Sequence, residues 1–240
     1  MTRTATATVQ EQKPQRPLNR SLILDRAVVL IEDEGPGALT MRRLGSSLGV
    51  EAMAIYHHFA GRDELLSAIG DRLLEPLHDL ELGDSWREAC RRFAIALRGV
   101  AVARPATFAL LGLQPFDTPS SLGPVERLLG VLVAAGFTPA PALAVYRATV
   151  SYARGYALAE ATGFTVDASQ PVGRRRLAAL PEVEFPILAG RARELVALDA
   201  DAAYEVGLQA LLTGFADPKV VEHTGGKSKG RVPLPPGPPG

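Results

Sequence analysis

Residues 39–59 read LTMRRLGSSLGVEAMAIYHHF, two short segments of helical periodicity joined at Gly49. In the first segment Thr40 is a candidate N-cap, and apolar residues recur every three or four positions over residues 41–48. Two helices that pack at a steep angle need a small residue near the crossing and a turn-former between them, and Gly45 and Gly49 meet those needs. The pattern predicts a helix-turn-helix.

The second helix, predicted over residues 50–59, has two faces. Its apolar residues are Met53, Ile55 and Tyr56. Ile55 and Phe59 are predicted to point into the domain. Its recognition segment, about residues 51–57, is predicted to present the following side chains to a DNA major groove: Glu51, Ala52, Ala54 and His57.

Two longer helical patterns flank this motif. Residues 19–34 form one apolar stripe at Ile23, Ala27, Leu30 and Ile31. Gly-Pro-Gly at 35–37 ends this helix, and we interpret the acidic run at 32–34 as solvated surface. After residues 60–63 a fourth helix is predicted from another apolar stripe, at Leu65, Leu66, Ile69, Leu73 and Leu77.

The remaining chain, about residues 84–216, is helical in pattern and interrupted by Pro and Gly. No segment alternates with a period of two for long enough to predict a sheet. The fold class is therefore predicted to be all-α, with a small N-terminal domain joined through the fourth helix to a larger bundle. The predicted divisions are a flexible basic arm (1–18), the helix-turn-helix domain (19–66), a ligand-binding and dimerisation domain (67–217) and a disordered Pro/Gly-rich tail (218–240).

Composition excludes several classes of protein. The 240 residues include 26 basic and 26 acidic side chains and are 47% hydrophobic, and no apolar run reaches the ~20 residues of a membrane helix. Cys90 is the single cysteine, so neither an intramolecular disulfide nor a cysteine-based zinc site is expected. The N-terminus lacks a secretory apolar segment, and we predict a cytoplasmic protein without metal or other cofactor.

The charge distribution leaves the partner open. Residues 1–26 contain five basic and two acidic side chains, which is consistent with a phosphate partner and equally with a solubilising arm. Residues 1–80 as a whole contain nine basic and eleven acidic residues. A DNA-binding role for this region therefore depends on the local placement of Arg42, Arg43 and Arg62.

Several motifs resemble one known family. They are LTMRRL at 39–44, LGV at 48–50, IYHHF at 55–59 and RDELL at 62–66, with weaker matches at 85–87, 128–137 and 207–215. Together they resemble the tetracycline-repressor (TetR) family of transcriptional regulators, including its type of C-terminal domain. The resemblance implies a homodimer that binds a double-stranded DNA operator and responds to a small-molecule effector.

The resemblance also assigns roles in the predicted DNA-binding domain. Thr40, Tyr56 and Arg62 match phosphate-contacting positions, and Arg42 matches an arginine that reads guanine, for which its bidentate fork is suited. Ala52 and Ala54 replace larger polar residues, so we expect few hydrogen bonds to bases and more weight on thymine-methyl contacts and Arg42. The full predicted set is Thr40, Arg42, Arg43, Glu51, Ala52, Ala54, Tyr56, His57 and Arg62.

Plainer interpretations of these residues remain open. Arg42 and Arg43 would also suit a solvated helix face, and Tyr56 would suit a half-buried core position. His57 and His58 point about 100° apart on a helix, which argues against a shared metal, and we expect His58 to pack with Phe59.

The predicted effector-binding residues lie in the larger domain. They are His78, Phe93, Leu97, Phe108, Leu110, Leu113, Phe116, Tyr146, Thr149 and Tyr152. The alternative is that these apolar and aromatic residues are plain core. Tetracycline-binding members of the family have a drug-contacting asparagine and a metal-binding histidine where this sequence has Phe93 and Leu110, and only His78 matches a drug-contacting position. A metal-free, largely apolar effector is therefore expected rather than magnesium-tetracycline.

Dimerisation is assigned by the resemblance to residues 140–161 and 201–215. Small residues in the first segment would let helices approach closely, although they would equally serve packing within one chain: Ala144, Ala148, Gly155 and Ala159. A dimer places two recognition helices about 34–36 Å apart and predicts a near-palindromic operator.

The predicted function is a ligand-responsive repressor. No nucleophile elbow, phosphate-binding glycine loop, HExxH motif or paired carboxylate array is present, so we do not predict an enzyme. The alternatives are a helical ligand-binding or protein-interaction module that has lost sequence-specific DNA binding, and an activator.

Overall fold

The computed structural model describes residues 17–111, 117–162, 171–191, 194 and 199–218. Every regular element in these ranges is helical, which confirms the predicted all-α class. The helices are α1 (Arg20–Glu34), α2 (Met41–Leu48), α3 (Ala52–Tyr56), α4 (Arg62–Leu74), α5 (Trp86–Ala103), α6 (Pro105–Leu111), α7 (Pro119–Ala134), α8 (Pro139–Thr162), α9 (Pro171–Ala178) and α10 (Ala200–Thr213). Short 3-10 turns at Pro36–Ala38 and Glu75–Leu77 follow α1 and α4. Except for residues 17, 18 and 218, the predicted arm and tail lie outside the described residues.

The helix-turn-helix depends on its two glycines. Gly49 ends α2 in the left-handed conformation, with φ at 71°. At Gly45 an added Cβ would lie 2.9 Å from the carbonyl oxygen of Val50, closer than real Cβ contacts come. Thr40 caps α2 as predicted, since its hydroxyl accepts a hydrogen bond of 3.1 Å from the Arg43 amide.

The head, residues 17–77, packs around the predicted apolar stripes. Ile23, Ala27, Leu30 and Ile31 of α1 are all buried, together with Leu44 of α2, Ile55 of α3 and Leu65 and Ile69 of α4. Helix α3 is shorter than predicted, because only residues 52–56 are helical and Glu51 and His57 form its caps. Helix α4 crosses the predicted boundary at 66/67 without a break and joins the head to the larger domain.

The larger domain is built around α5. Its buried face, which includes Phe93 and Leu97, packs most extensively against α8 and also contacts α6, α7 and α10. Trp86 anchors the start of α5 by an edge-on contact with Phe137 at 5.1 Å between ring centroids and by donating a 3.1 Å hydrogen bond to Asp217. Among the described residues no single helix has the length and hydropathy of a membrane span. Helices α5 and α6 reach that length and hydropathy only when they are taken together, and the pair is bent by 112°.

The head and the larger domain meet where α1 touches α6. The Glu32 carboxylate accepts hydrogen bonds from the Ala106 amide at 3.2 Å and from the Thr107 amide and hydroxyl at 2.8 and 2.6 Å. Glu32 therefore caps the first turn of α6 instead of lying on a solvated surface. Our interpretation of the acidic run was wrong at this residue, because the carboxylate faces backbone donors of another helix.

Candidate functional site

Helix α3 presents one exposed face. Met53 is 65% exposed, Tyr56 is 45% exposed, and His57 follows on the same side at a spacing of i, i+3 and i+4. We call these three residues the recognition face. The prediction that Ile55 and Phe59 point inward is confirmed, since both are fully buried. Met53, predicted only as one of the apolar residues of this helix, is instead its most exposed apolar side chain.

Other predicted groove residues surround this face. Glu51 is exposed at the N-cap of α3, and Ala52 and Ala54 are half-buried on either side of Met53. The small alanines leave the helix with few polar side chains of its own. His58 is half-buried and its backbone carbonyl is engaged within the chain, as described below.

Two exposed arginines of the head form no ion pair among the described residues. Arg42 lies in the first turn of α2 and Arg62 is the first residue of α4, and both are exposed. No ion pair among the described residues involves either guanidinium. Both side chains are therefore available to a partner that carries negative charge.

Arg43 has a different environment. Its guanidinium forms a bidentate ion pair with the Glu34 carboxylate at the end of α1. This hydrogen-bonded pairing lowers the pKa of Glu34 and raises that of Arg43. Arg43 belongs to the predicted DNA-binding set, but in this structure its charge is already neutralised inside the head.

Arg20 fixes the end of α3. Its guanidinium donates to the His58 carbonyl, pairs with the Glu64 carboxylate at 2.9 Å and stacks 4.1 Å from the centre of the Phe59 ring. Glu64 in turn accepts a 2.6 Å hydrogen bond from the Ala60 amide, which with Arg20 lowers the pKa of this carboxyl. We counted Arg20 with the basic N-terminal segment, but it is a structural residue that holds the turn after α3.

The acidic residues of the head are largely used within the fold. Arg72 on α4 pairs with Asp25 of α1 at 2.7 Å and with Glu75 at 2.9 Å. Glu34 and Glu64 are paired as described, and Glu32 caps α6. Most acidic side chains of the head are therefore engaged within the fold, whereas Glu51 and Asp63 are exposed and form no ion pair among the described residues.

The predicted effector residues fall into four groups. Phe93, Leu97, Phe108 and Thr149 are buried, and Leu110 and Tyr146 are half-buried, on the mutually packed helices α5, α6 and α8. Leu113 and Phe116 lie outside the described residues. Tyr152 points to the crossing of α8 with α10, where its hydroxyl donates a 2.8 Å hydrogen bond to the Tyr204 carbonyl.

His78 lies in a different place. It lines an open cleft of about 500 Å³ between α1, α4 and α7, together with Leu24, Ala68, Asp71, Arg72, Glu75, Asp79 and Ser120. None of the other described members of the predicted effector set lines this cleft. The structure therefore does not bring His78 into one described cavity with Phe93 or Phe108.

Two family models match this chain over its two structural regions. The model for bacterial regulatory proteins of the tetR family matches residues 23–69, which contain the helix-turn-helix. The model for the tetracyclin repressor-like C-terminal domain matches residues 80–218, more than half of the chain. The chain belongs to the TetR family of transcriptional regulators. The resemblance seen in the sequence is confirmed, and with it the prediction of a DNA-binding regulator.

Individual relatives agree with this membership. An HTH-type transcriptional regulator of Saccharopolyspora erythraea is 30% identical over 86% of this chain and 89% of its own length. The tetracycline repressor protein class D of Escherichia coli is 28% identical over 82% of this chain and 89% of its own. The crystal structure of the Streptomyces coelicolor TetR family protein ActR in complex with actinorhodin superposes with a TM-score of 0.66 at 25% identity, covering 83% of this chain and 97% of ActR.

In this TetR-family regulator the segments predicted for dimerisation are the helices α8 and α10. Leu143, Arg147, Ser151 and Gly155 are exposed at every fourth position of α8, and Val206 of α10 is also exposed. A methyl group added at Gly155 would meet no atom within 4 Å in the described part of the chain, so no packing within that part requires glycine there. Gly207, by contrast, lies against the Tyr152 ring where α10 crosses α8.

The sequence did not predict the exposure of Met53, the cap formed by Glu32, or the long-range pairing of Arg20 and of Arg98, whose guanidinium binds Glu160 of α8. Met53 and Glu32 belong to patterns that have ordinary explanations, a core helix and a charged helix end. Arg20 and Arg98 are single charges whose partners are distant in sequence, so no local pattern marks them. A local signal that could have indicated an exposed Met53 is its position as an unbranched apolar residue between Ala52 and Ala54.

Proposed function

We propose that this TetR-family chain is a homodimeric repressor that binds a near-palindromic operator and is released by a small, largely apolar, metal-free molecule. The observation that carries the proposal is that the helix-turn-helix head exposes both the recognition face and two arginines, Arg42 and Arg62, that form no ion pair among the described residues. We propose no catalytic role, and we propose that the protein acts in the cytoplasm, where its operator DNA would lie.

The DNA-binding part of the proposal follows from the chemistry of the exposed side chains of the head. Arg42, on α2, suits the O6 and N7 acceptors of guanine. Arg62 begins α4, where the positive end of the helix dipole adds to its own charge, so it suits a phosphate. Tyr56 and Thr40 are exposed and carry hydroxyl groups that suit the neighbouring phosphates.

The effector-binding part of the proposal rests on the interior of the larger domain. The described members of the predicted set on α5, α6 and α8 are mostly apolar, and ActR, a structural relative, was solved with actinorhodin bound. Phe93 and Leu110 provide no metal ligand, so we expect magnesium-tetracycline at low micromolar concentration to leave this protein on its DNA. Release of the operator by that compound would overturn the metal-free assignment.

The dimeric part of the proposal rests on the exposed faces of α8 and α10. Gly155 allows close approach of a second α8, which the described part of the chain does not itself use. We expect sedimentation at micromolar concentration to show a dimer, and Gly155→Gln to weaken it. Gly99→Gln on α5, at a glycine that is also exposed and free of contacts, is the matched control and leaves the dimer intact. A wild-type monomer would contradict the proposal.

Coupling between effector and DNA has a defined cost. A hundredfold loss of operator affinity requires about 2.7 kcal/mol of differential effector binding between the two conformations. In our proposal α6 transmits this difference, because it carries Phe108 on its inner side and is capped by Glu32 of the head.

The deciding experiment is selection of bound sequences from a random duplex pool with the purified protein at stated salt. An enriched inverted repeat supports a dimeric DNA reader and provides a probe for screening compounds by release. Absence of enrichment, with intact helical structure, favours the alternative module that has lost sequence-specific DNA binding. Activation instead of repression would be recognised from the position of the operator relative to the promoter.

A further inference from the structure

Met53 is an apolar side chain in an unusual position. At 65% exposure it is the most exposed large apolar residue of the head. The amphipathic Tyr56 is 45% exposed, and Val29 of α1 is 41% exposed. It belongs to a helix of five residues that is held at both ends, by the turn at Gly49 before it and by Arg20 on the His58 carbonyl after it. Its location is therefore fixed by the fold, although the described chain leaves most of it exposed.

The neighbouring side chains limit what this helix can recognise. Ala52 and Ala54 carry no hydrogen-bonding group, so at the centre of α3 the side-chain chemistry is apolar. The apolar feature that base pairs present in the major groove is the C5-methyl group of thymine. Methionine is unbranched and polarizable, and it adapts its shape to such a group.

We propose that Met53 is a specificity-determining residue that reads a thymine methyl group in each operator half-site. The inference rests on the proposed function, since it assumes that α3 enters the major groove. Contact with the methyl group would remove the exposed Met53 surface from water and would discriminate thymine from cytosine at that position, with no hydrogen bond involved.

The unpaired basic residues of the head favour DNA as the occupant over a second protein. Arg42 and Arg62 have no ion-pair partner in the described residues, and Tyr56 and His57 place polar groups on the same face. Exposed arginines and hydroxyl groups on the same head suit contacts to phosphate backbones, which would leave the apolar Met53 for a base edge in the groove between them.

The test removes the methyl group alone. In the operator recovered by selection, each thymine is replaced in turn by deoxyuridine, symmetrically in both half-sites, and affinity is measured by fluorescence anisotropy. For the wild-type protein we expect one position at which the replacement weakens binding by about fourfold per half-site, the value of burying one methyl group. Met53→Ala is expected to lose a similar factor and to be insensitive to deoxyuridine at that position.

Two further variants make the result specific. Val29→Ala removes an exposed apolar side chain from the same head and is expected to keep the wild-type sensitivity to deoxyuridine. Met53→Leu retains an apolar side chain and is expected to keep most of the sensitivity to deoxyuridine. Circular dichroism establishes that each variant is folded, which is expected because Met53 and Val29 are both exposed.

The outcomes separate this inference from the function on which it rests. If no sequence is enriched, the proposed function and the role of Met53 both fail. If an operator is found but no thymine is sensitive to loss of its methyl group, only the role of Met53 fails. A sensitivity that persists unchanged in Met53→Ala likewise overturns it, because another residue then reads the methyl group.

Discussion

The carboxylate of Glu32, at the end of the first helix, accepts hydrogen bonds from both the amide and the hydroxyl of Thr107, a fully buried residue in the first turn of α6. The two residues are 75 positions apart and belong to the two regions that separate family models match. This contact ties the DNA-binding head directly to a helix of the proposed effector domain. It supplements α4, which connects the two regions covalently.

Removing the Glu32 carboxylate should weaken the contact between α1 and α6. We expect Glu32→Ala to lower the free energy of unfolding by about 2–3 kcal/mol, because it leaves a buried hydroxyl and backbone amides without an acceptor. Glu32→Gln retains one acceptor oxygen and should lose less. Asp33→Ala, at the exposed neighbouring position, should change stability by no more than about 0.5 kcal/mol. Urea unfolding measures all three, and equal losses for Glu32→Ala and Asp33→Ala would show that the contact is unimportant.

The arginines of the head should differ in how they affect DNA binding. We expect Arg42→Ala to cost roughly 1–3 kcal/mol and to relax the preference at one base position. Arg62→Ala should weaken all sequences alike and reduce the salt dependence by about one counterion. Affinities for operator variants at several salt concentrations provide the measurement. Identical behaviour of the two variants would refute the assigned roles.

Arg43 supplies a contrasting case within the same helix. Because its guanidinium pairs with Glu34, we expect Arg43→Ala to affect operator binding less than Arg42→Ala. The partner variant Glu34→Gln frees the guanidinium and should strengthen nonspecific DNA binding at low salt. A large loss of affinity in Arg43→Ala, with no gain in Glu34→Gln, would mean that the ion pair opens when DNA binds.

A largely buried ion pair should stabilise the junction of α5, α8 and α10. The Arg98 side chain is 12% exposed and binds both oxygens of Glu160 at 2.7 Å, where Glu160 is 17% exposed. It also pairs with Asp201 at 2.8 Å and lies 4.7 Å from the Tyr204 ring centre. These hydrogen-bonded carboxylates raise the pKa of Arg98.

Replacing this arginine leaves a carboxylate without its counter-charge. We expect Arg98→Met to destabilise the fold by about 3 kcal/mol, the low end of the range for breaking a buried pair. Arg92→Met, on the same helix and paired with the more exposed Glu88, should cost less than about 1 kcal/mol. Thermal or urea unfolding distinguishes them. If the two variants lose the same amount, then the Arg98 cluster contributes no more than a surface pair.

The turn of the helix-turn-helix should not tolerate a side chain at Gly45. In Gly45→Ala the new methyl group meets the Val50 carbonyl oxygen at 2.9 Å and the Ala52 amide nitrogen at 3.2 Å, both backbone atoms. We expect a loss of about 1–3 kcal/mol and weaker operator binding, since α3 must move away from α2. Gly37→Ala, where a Cβ meets nothing within 4 Å in the described structure, is the control and should be close to neutral. Normal stability and DNA binding in Gly45→Ala would contradict the close crossing.

Cys90 should be unreactive in the folded protein. It is buried on α5, and burial raises the pKa of its thiol to about 11 despite a hydrogen bond with Thr149. At pH 8 the thiol is therefore neutral, and the nucleophilic thiolate is nearly absent. A chromogenic disulfide reagent should label Cys90 only after denaturant is added, whereas stoichiometric labelling of the native protein within seconds would show that α5 opens readily.

Local patterns predicted much of this fold. The apolar stripe of α1, the cap at Thr40 and the glycines of the turn each depend on residues within a few positions of one another, where helical geometry determines which side chains share a face. The same locality explains why the family motifs at 39–66 were recognisable. The inward positions of Ile55 and Phe59 followed from this spacing alone.

The sequence by itself therefore determined the helices, the helix-turn-helix and the family. Only the tertiary structure decided which charges remain available, because Arg43 and Arg20 are engaged by Glu34 and Glu64 across distances that no periodicity encodes. It likewise decided that Glu32 caps α6 and that Met53, one of the apolar residues of α3, is exposed. Partners distant in sequence are set by how helices pack, and packing depends on the whole chain at once.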